Sequence, residues 1–108
     1  MKFLIITSVK DTMSTLPPAV ARQLFEATVA WMNEQKQAGK VLEIYSIPGW
    51  RRSIGISEGD SAEEIARLIA GVPIGGFLDF EVYPLADFNE VMKANIEAFK
   101  RAEQRFPR

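Results

Sequence analysis

The sequence contains no cysteine and no histidine. Their absence excludes thiolate nucleophiles, Ser/His and Cys/His dyads, zinc sites of the usual kind, a histidine haem ligand and disulfides. Any proton transfer therefore falls to Asp, Glu, Tyr, Lys or bound water. Nor is there an excess of charge: 13 basic against 14 acidic side chains leave a net charge of −1. That balance lacks the basic surplus of a nucleic-acid binder. Long hydrophobic runs are missing too, since Phe3-Leu4-Ile5-Ile6 stops at Thr7-Ser8, short of a signal-peptide core or a membrane span. A cytoplasmic protein without a membrane partner is expected. Gly71, Gly75 and Gly76 precede a strand and lack the Lys-Ser/Thr ending of a phosphate loop. No metal or cofactor is expected.

What is present is a chain of 108 residues, 47% of them hydrophobic, which reads as one globular domain over 1–108. Phe3–Val9 is β-rich and apolar on both parities, and Lys10–Leu16 is a polar loop. Pro17-Pro18 suits a first helical turn, and Ala19–Ala38 carries a helical stripe through Val20, Leu24, Ala27 and Trp31, widened by Phe25, Val29 and Met32. Trp31 reads as core. Val41–Ile47 and Trp50–Ser57 form a hairpin around Pro48-Gly49, which suits a type II turn. Ser61-Ala62-Glu63-Glu64 is a capping box for a short helix that stops at Gly71. Phe77–Tyr83 is a fourth strand. After an Asp87 cap, a last helix bears Phe88, Met92, Ile96, Phe99, Ala102 and Phe106 on one stripe. Arg101, Arg105 and Arg108 read as its solvated face. The order βαββαβ plus a C-terminal helix predicts an α+β, ferredoxin-like fold.

Strand parity divides the sheet into two faces. The uniformly aliphatic sets, among them Leu78/Phe80/Val82 and Ile54/Ile56, are expected under the helices. The other face would carry Tyr45, Ile47, Phe77 and Tyr83 beside Glu43, Arg51, Asp79 and Glu81. Because helices in this topology cover one side, those aromatics would be bare in a monomer. A homodimer or higher homo-oligomer with facing sheets is therefore expected, with Glu43, Arg51, Asp79 and Glu81 in a paired polar network at its seam. The same carboxylates, Asp79 and Glu81, also have the spacing of an acid/base pair, or with Glu43 of a weak cation site.

Arg52 shares the parity of Ile54 and Ile56, so it is expected to point under the helices toward Ser46 and Trp50. There it could recognise a carboxylate or enolate, with Trp50 as a flat wall. The alternative reading has Arg52 at the hairpin mouth, its stem on the helix and its head in water. Thr28 is expected to face the sheet, and Glu26 to face solvent.

The segment Ala70-Gly71-Val72-Pro73-Ile74-Gly75-Gly76-Phe77-Leu78-Asp79-Phe80-Glu81-Val82-Tyr83-Pro84-Leu85-Ala86 resembles the muconolactone delta-isomerase family, small dimeric α+β barrels of aromatic-acid catabolism. The likeness extends more loosely through Ala38-Gly39-Lys40, the hairpin and the N-terminal strand. It implies a dimeric α+β barrel with a small-molecule pocket between sheet and helices, and in that family cofactor-free proton transfer on a lactone carboxylate. By the resemblance, the family's proton-shuttling glutamate falls at Thr28 and a family arginine at Ser46. The family's tyrosine after the turn has no clear counterpart among Trp50, Arg51 and Arg52. The implied substrate site is Arg52 as the anion-orienting charge, with Ser46, Trp50 and Thr28 shaping the pocket. Three functions remain open: an isomerase of an organic acid or lactone with an altered site, a cofactor-free monooxygenase or cyclase on an aromatic or polyketide-like substrate, and a non-catalytic ligand-binding barrel.

Overall fold

Local chemistry sets the elements in the computed structural model, which describes residues 1–49 and 51–107. Strand β1 runs Lys2–Val9, and the expected loop after it contains a 3₁₀ turn, Asp11–Thr15. Helix α1, Pro18–Gln37, opens on a proline whose missing N–H has no partner to lose at this position. Strands β2, Val41–Ile47, and β3, Arg52–Glu58, form the expected hairpin. Gly49 in its turn has φ 81°, a conformation that carries no Cβ penalty for glycine. Arg51 also has positive φ, 52°, which costs a residue with a Cβ about 1–2 kcal/mol. Its side chain compensates by reaching Asp11 Oδ1 at 3.3 Å and the Lys10 carbonyl at 3.1 Å.

Helix α2, Ala62–Ala70, is capped as its sequence suggests: the Ser61 hydroxyl accepts from the Glu64 N–H at 3.2 Å. The Glu64 carboxylate reaches back one residue further, accepting from the Asp60 N–H at 2.7 Å. A 3₁₀ turn, Gly75–Phe77, then leads into β4, Leu78–Pro84, and Asp87 caps helix α3, Phe88–Arg105.

The four strands form one antiparallel sheet in the order β2-β3-β1-β4, which is the α+β, ferredoxin-like arrangement. Register settles its faces. Phe3, Ile5 and Thr7 of β1 oppose Ser57, Gly55 and Ser53 of β3, and also Pro84, Val82 and Phe80 of β4. Ile5, Gly55, Ser57 and Phe80 meet Trp31, Leu68 and Ile69 of the helices, so this is the covered side. The core centres here, on Phe3, Val41, Ile65 and Ile74, each at most 5% exposed.

One expectation is corrected by this register. Ile54, Ile56 and Arg52 lie on the open face of β3, and the helices sit over Ser53, Gly55 and Ser57. Room on the covered side is tight at this point: a Cβ at residue 55 would stand 3.2 Å from Ile44 Cδ1, so β3 carries its smallest residue beneath that side chain. The open face consequently collects Leu4, Ile6, Ile54 and Ile56 as well as Tyr45, Ile47 and Tyr83.

Candidate functional site

A cavity of about 670 Å³ opens between α1 and the hairpin end of the sheet, within the usual range of small-molecule sites. Its α1 wall is Phe25, Thr28, Val29, Met32, Asn33 and Lys36, residues at helical three- and four-residue spacing and hence on one side of the helix. Its floor includes Ser46 and Ser53, register partners across β2 and β3. Thr7 and Val9 from β1, with Ile74 and Leu78, complete the apolar end. The space exists because β3 presents serine and glycine to α1 where another strand would present aliphatic side chains.

Three of the four residues expected to form a substrate site border this one cavity: Thr28, Ser46 and Arg52. The fourth, Trp50, lies outside the described residues, as does Arg108. Arg52 reaches the cavity by a different route from the one expected. It pairs with Ser8 and Ile47 on the open-face parity, and borders the cavity where the sheet ends, half-buried. Thr28 donates its hydroxyl to the Leu24 carbonyl at 2.8 Å.

The expected polar network needs correction in one member. Glu43, Asp79 and Glu81 share the open face, but Glu43 is on β2 and the other two are on β4, at opposite edges of the sheet. Asp79 pairs with Lys10 at 3.7 Å, and Glu81 accepts from the Tyr83 hydroxyl at 3.4 Å. Arg51 is not among them: its guanidinium is held by Asp11 and Lys10, and it borders the cavity. Among the described residues, no group of three His, Cys, Asp or Glu side chains could hold a metal ion. None of their helices is long and apolar enough to cross a membrane.

Electrostatically the cavity is one-sided. Lys36, Arg51 and Arg52 border it, and among the described residues no Asp, Glu or Tyr does. Cations beside apolar walls select an anion with a hydrophobic body, and hydroxyls at Thr7, Thr28, Ser46 and Ser53 can meet its neutral polar atoms. Lys36 and Asn33 escaped sequence reasoning because only the apolar members of the α1 stripe were followed. Their spacing from Met32 and Val29 was the available signal.

Residues 1–91 match the family described as muconolactone delta-isomerase. Among solved structures, the crystal structure of muconolactone isomerase superposes with a TM-score of 0.69 at 23% identity, covering 81% of this chain and 90% of that one. A 5-chloro-2-hydroxyhydroquinone dehydrochlorinase from Burkholderia phenoliruptrix, in complex with 2,5-dihydroxybenzoquinone, gives 0.65 at 17% identity, covering 83% and 98%. A protein from Streptococcus pneumoniae gives 0.51 at 14%, covering 86% and 99%. No protein of curated function matches the sequence at a significant level. At these identities the structures speak for the fold.

Proposed function

The chain belongs to the muconolactone delta-isomerase family, and from that premise we propose that it binds a small organic acid or lactone in the cavity beneath α1. In this reading it is a cytoplasmic, single-domain homodimer, and it isomerises its ligand without a cofactor through an altered site. The observation that carries the proposal is the cavity's lining: Lys36, Arg51 and Arg52 border it and, among the described residues, no carboxylate does. Arg52 orients the anion, and Ser46 and Thr28 meet its oxygens. The open sheet face, with Leu4, Ile6, Ile54, Ile56, Tyr45 and Tyr83, supports a second subunit, because monomers rarely leave an apolar patch of that size bare.

A binding protein without catalysis is favoured by one specific feature. The position that resembles the family's glutamate is Thr28, whose hydroxyl is turned back onto Leu24, and among the described residues no carboxylate borders this cavity to carry a proton. Muconolactone incubated with the protein in D₂O separates the readings. Deuterium incorporation with migration of the double bond supports the isomerase. Saturable binding without exchange supports the binder. No binding of muconolactone or of other small carboxylates rejects both.

A further inference from the structure

Lys36 and Arg52 both border the cavity beneath α1, but they come to it from opposite ends of β2. Lys36 stands in the last turn of α1, which ends at Gln37. The short connection from there to Val41, the first residue of β2, is closed by the Lys40 N–H donating to the Gln35 carbonyl at 3.0 Å. Lys36 is therefore held near the Val41 end of the strand. Arg52 pairs with Ile47 at its other end. The seven residues of β2 place those ends roughly 20 Å apart, and a long basic side chain reaches inward from each.

The two charges differ from the third cation of the lining. Arg51 is already held by Asp11 Oδ1 and the Lys10 carbonyl. Among the described residues no ion pair engages Lys36 or Arg52.

Apolar ground lies between them. Val29 and Met32 on α1 and Ile44 on β2 line the cavity, and from Phe25 to Lys36 its helical wall covers about 16 Å of α1. The cavity is thus long, follows the helix, and is positive at both ends. A monocarboxylate seated on Arg52 leaves Lys36 without a counter-charge. An acid with a carboxylate at each end of an apolar stretch meets both cations, and its middle lies against Val29, Met32 and Ile44. A lysine near a helix C-terminus is favourable in its own right, so the mark of this arrangement is ligand preference rather than stability.

We propose that Lys36 is the specificity-determining residue of the cavity and that the ligand held best is an elongated dicarboxylate, with one acid group on Arg52 and the other on Lys36. The inference rests on the cavity reading above and states which class of organic acid that cavity selects.

Calorimetric titration of the full chain with glutarate, adipate and suberate, each beside its own monoamide, tests the second charge alone, because the paired compounds share length and polarity. At least one diacid is expected to bind about tenfold more tightly than its monoamide, since a hydrogen bond between two charged groups is stronger than one to a neutral amide. Lys36 is exposed, so Lys36→Met is expected to fold with unchanged circular dichroism and to bring the diacid-to-monoamide ratio within twofold of one, while Lys36→Arg keeps it. A lysine with only a structural role would weaken both compounds alike and leave the ratio unmoved. Diacids no tighter than their monoamides, or a preference that survives Lys36→Met, overturn the proposal. Benzoate separates this failure from that of the cavity reading. Arg52-dependent benzoate binding without a diacid preference removes Lys36 from the site and keeps the cavity, whereas no binding of benzoate or of any of these acids removes both.

Discussion

The Thr28 hydroxyl donates to the Leu24 carbonyl one turn earlier at 2.8 Å, so this residue of the cavity wall spends its only O–H on its own helix. A threonine that bonds back in this way is satisfied without a ligand. It offers the cavity a methyl group and a lone pair, which suits holding a molecule better than moving its protons.

Replacing that side chain tests whether the cavity is otherwise competent. Thr28→Glu would set a carboxylate on the α1 wall opposite Ser46 and Ser53, within reach of a ligand oriented by Arg52. General-base catalysis contributes typically 10²–10⁴-fold. The variant is expected to isomerise muconolactone about 100-fold faster than wild type, measured as double-bond migration. Tight binding with no gain in rate would place the ligand's reactive carbon away from α1.

Arg52 is the charge whose removal separates binding from folding. It is half-buried at the end of β3 and, among the described residues, makes no ion pair. Losing a hydrogen bond to a charged group costs about 1.5–3 kcal/mol, roughly 10- to 150-fold in affinity. Arg52→Ala is expected to weaken binding of small carboxylates by that factor while its unfolding midpoint stays within a few degrees of wild type. Titration calorimetry with benzoate and a thermal melt check both halves.

The elements legible in the sequence are those whose chemistry is local. Pro48-Gly49 announced the hairpin, Ser61 and Glu64 the start of α2, and Asp87 the start of α3, because each acts over three or four residues. The β3 face was misjudged for a physical reason. Alternation says which residues share a side of a strand, but not which side the helices take. The covered side is identified only once the register is set, where Ile44 and Gly55 lie together beneath Trp31 and Leu68. The same register makes Ser46 and Ser53 neighbours. The grouping of Arg51 with Glu43, Asp79 and Glu81 failed because its positive φ turns it out of strand alternation toward Asp11. Thr28 and Ser46 border the cavity on the sides that a helical arc and a strand parity give them.

The two helix caps should behave differently when removed. Ser61 caps a helix whose Ile65 is 1% exposed, so fraying α2 disturbs the core. Asp87 caps α3, which has no buried residue. Cap removal costs about 1 kcal/mol. Ser61→Ala is expected to lower the melting midpoint by about 4–8 °C. Asp87→Ala is expected to reduce helicity by circular dichroism with a smaller shift in midpoint, provided both are measured at concentrations where the wild type is monomeric.

Gly59 and Ile65 offer a test of the core itself. A Cβ at residue 59 would stand 2.9 Å from Ile65 Cδ1, inside van der Waals contact, and Ile65 is too well packed to move aside. Gly59→Ala alone is therefore expected to cost about 1–3 kcal/mol by overpacking. Ile65→Val, which removes that Cδ1, costs about 0.5–1.5 kcal/mol on its own. Together the two should be less damaging than their sum, since the methyl added at residue 59 fills space the lost one vacates. Urea unfolding of the four proteins closes the cycle, and a coupling of about 0.5 kcal/mol or more in the favourable direction is expected for residues in contact. Strict additivity would mean that the loop at Gly59 relaxes away from α2 at no cost, and that Ile65 is held by the sheet alone.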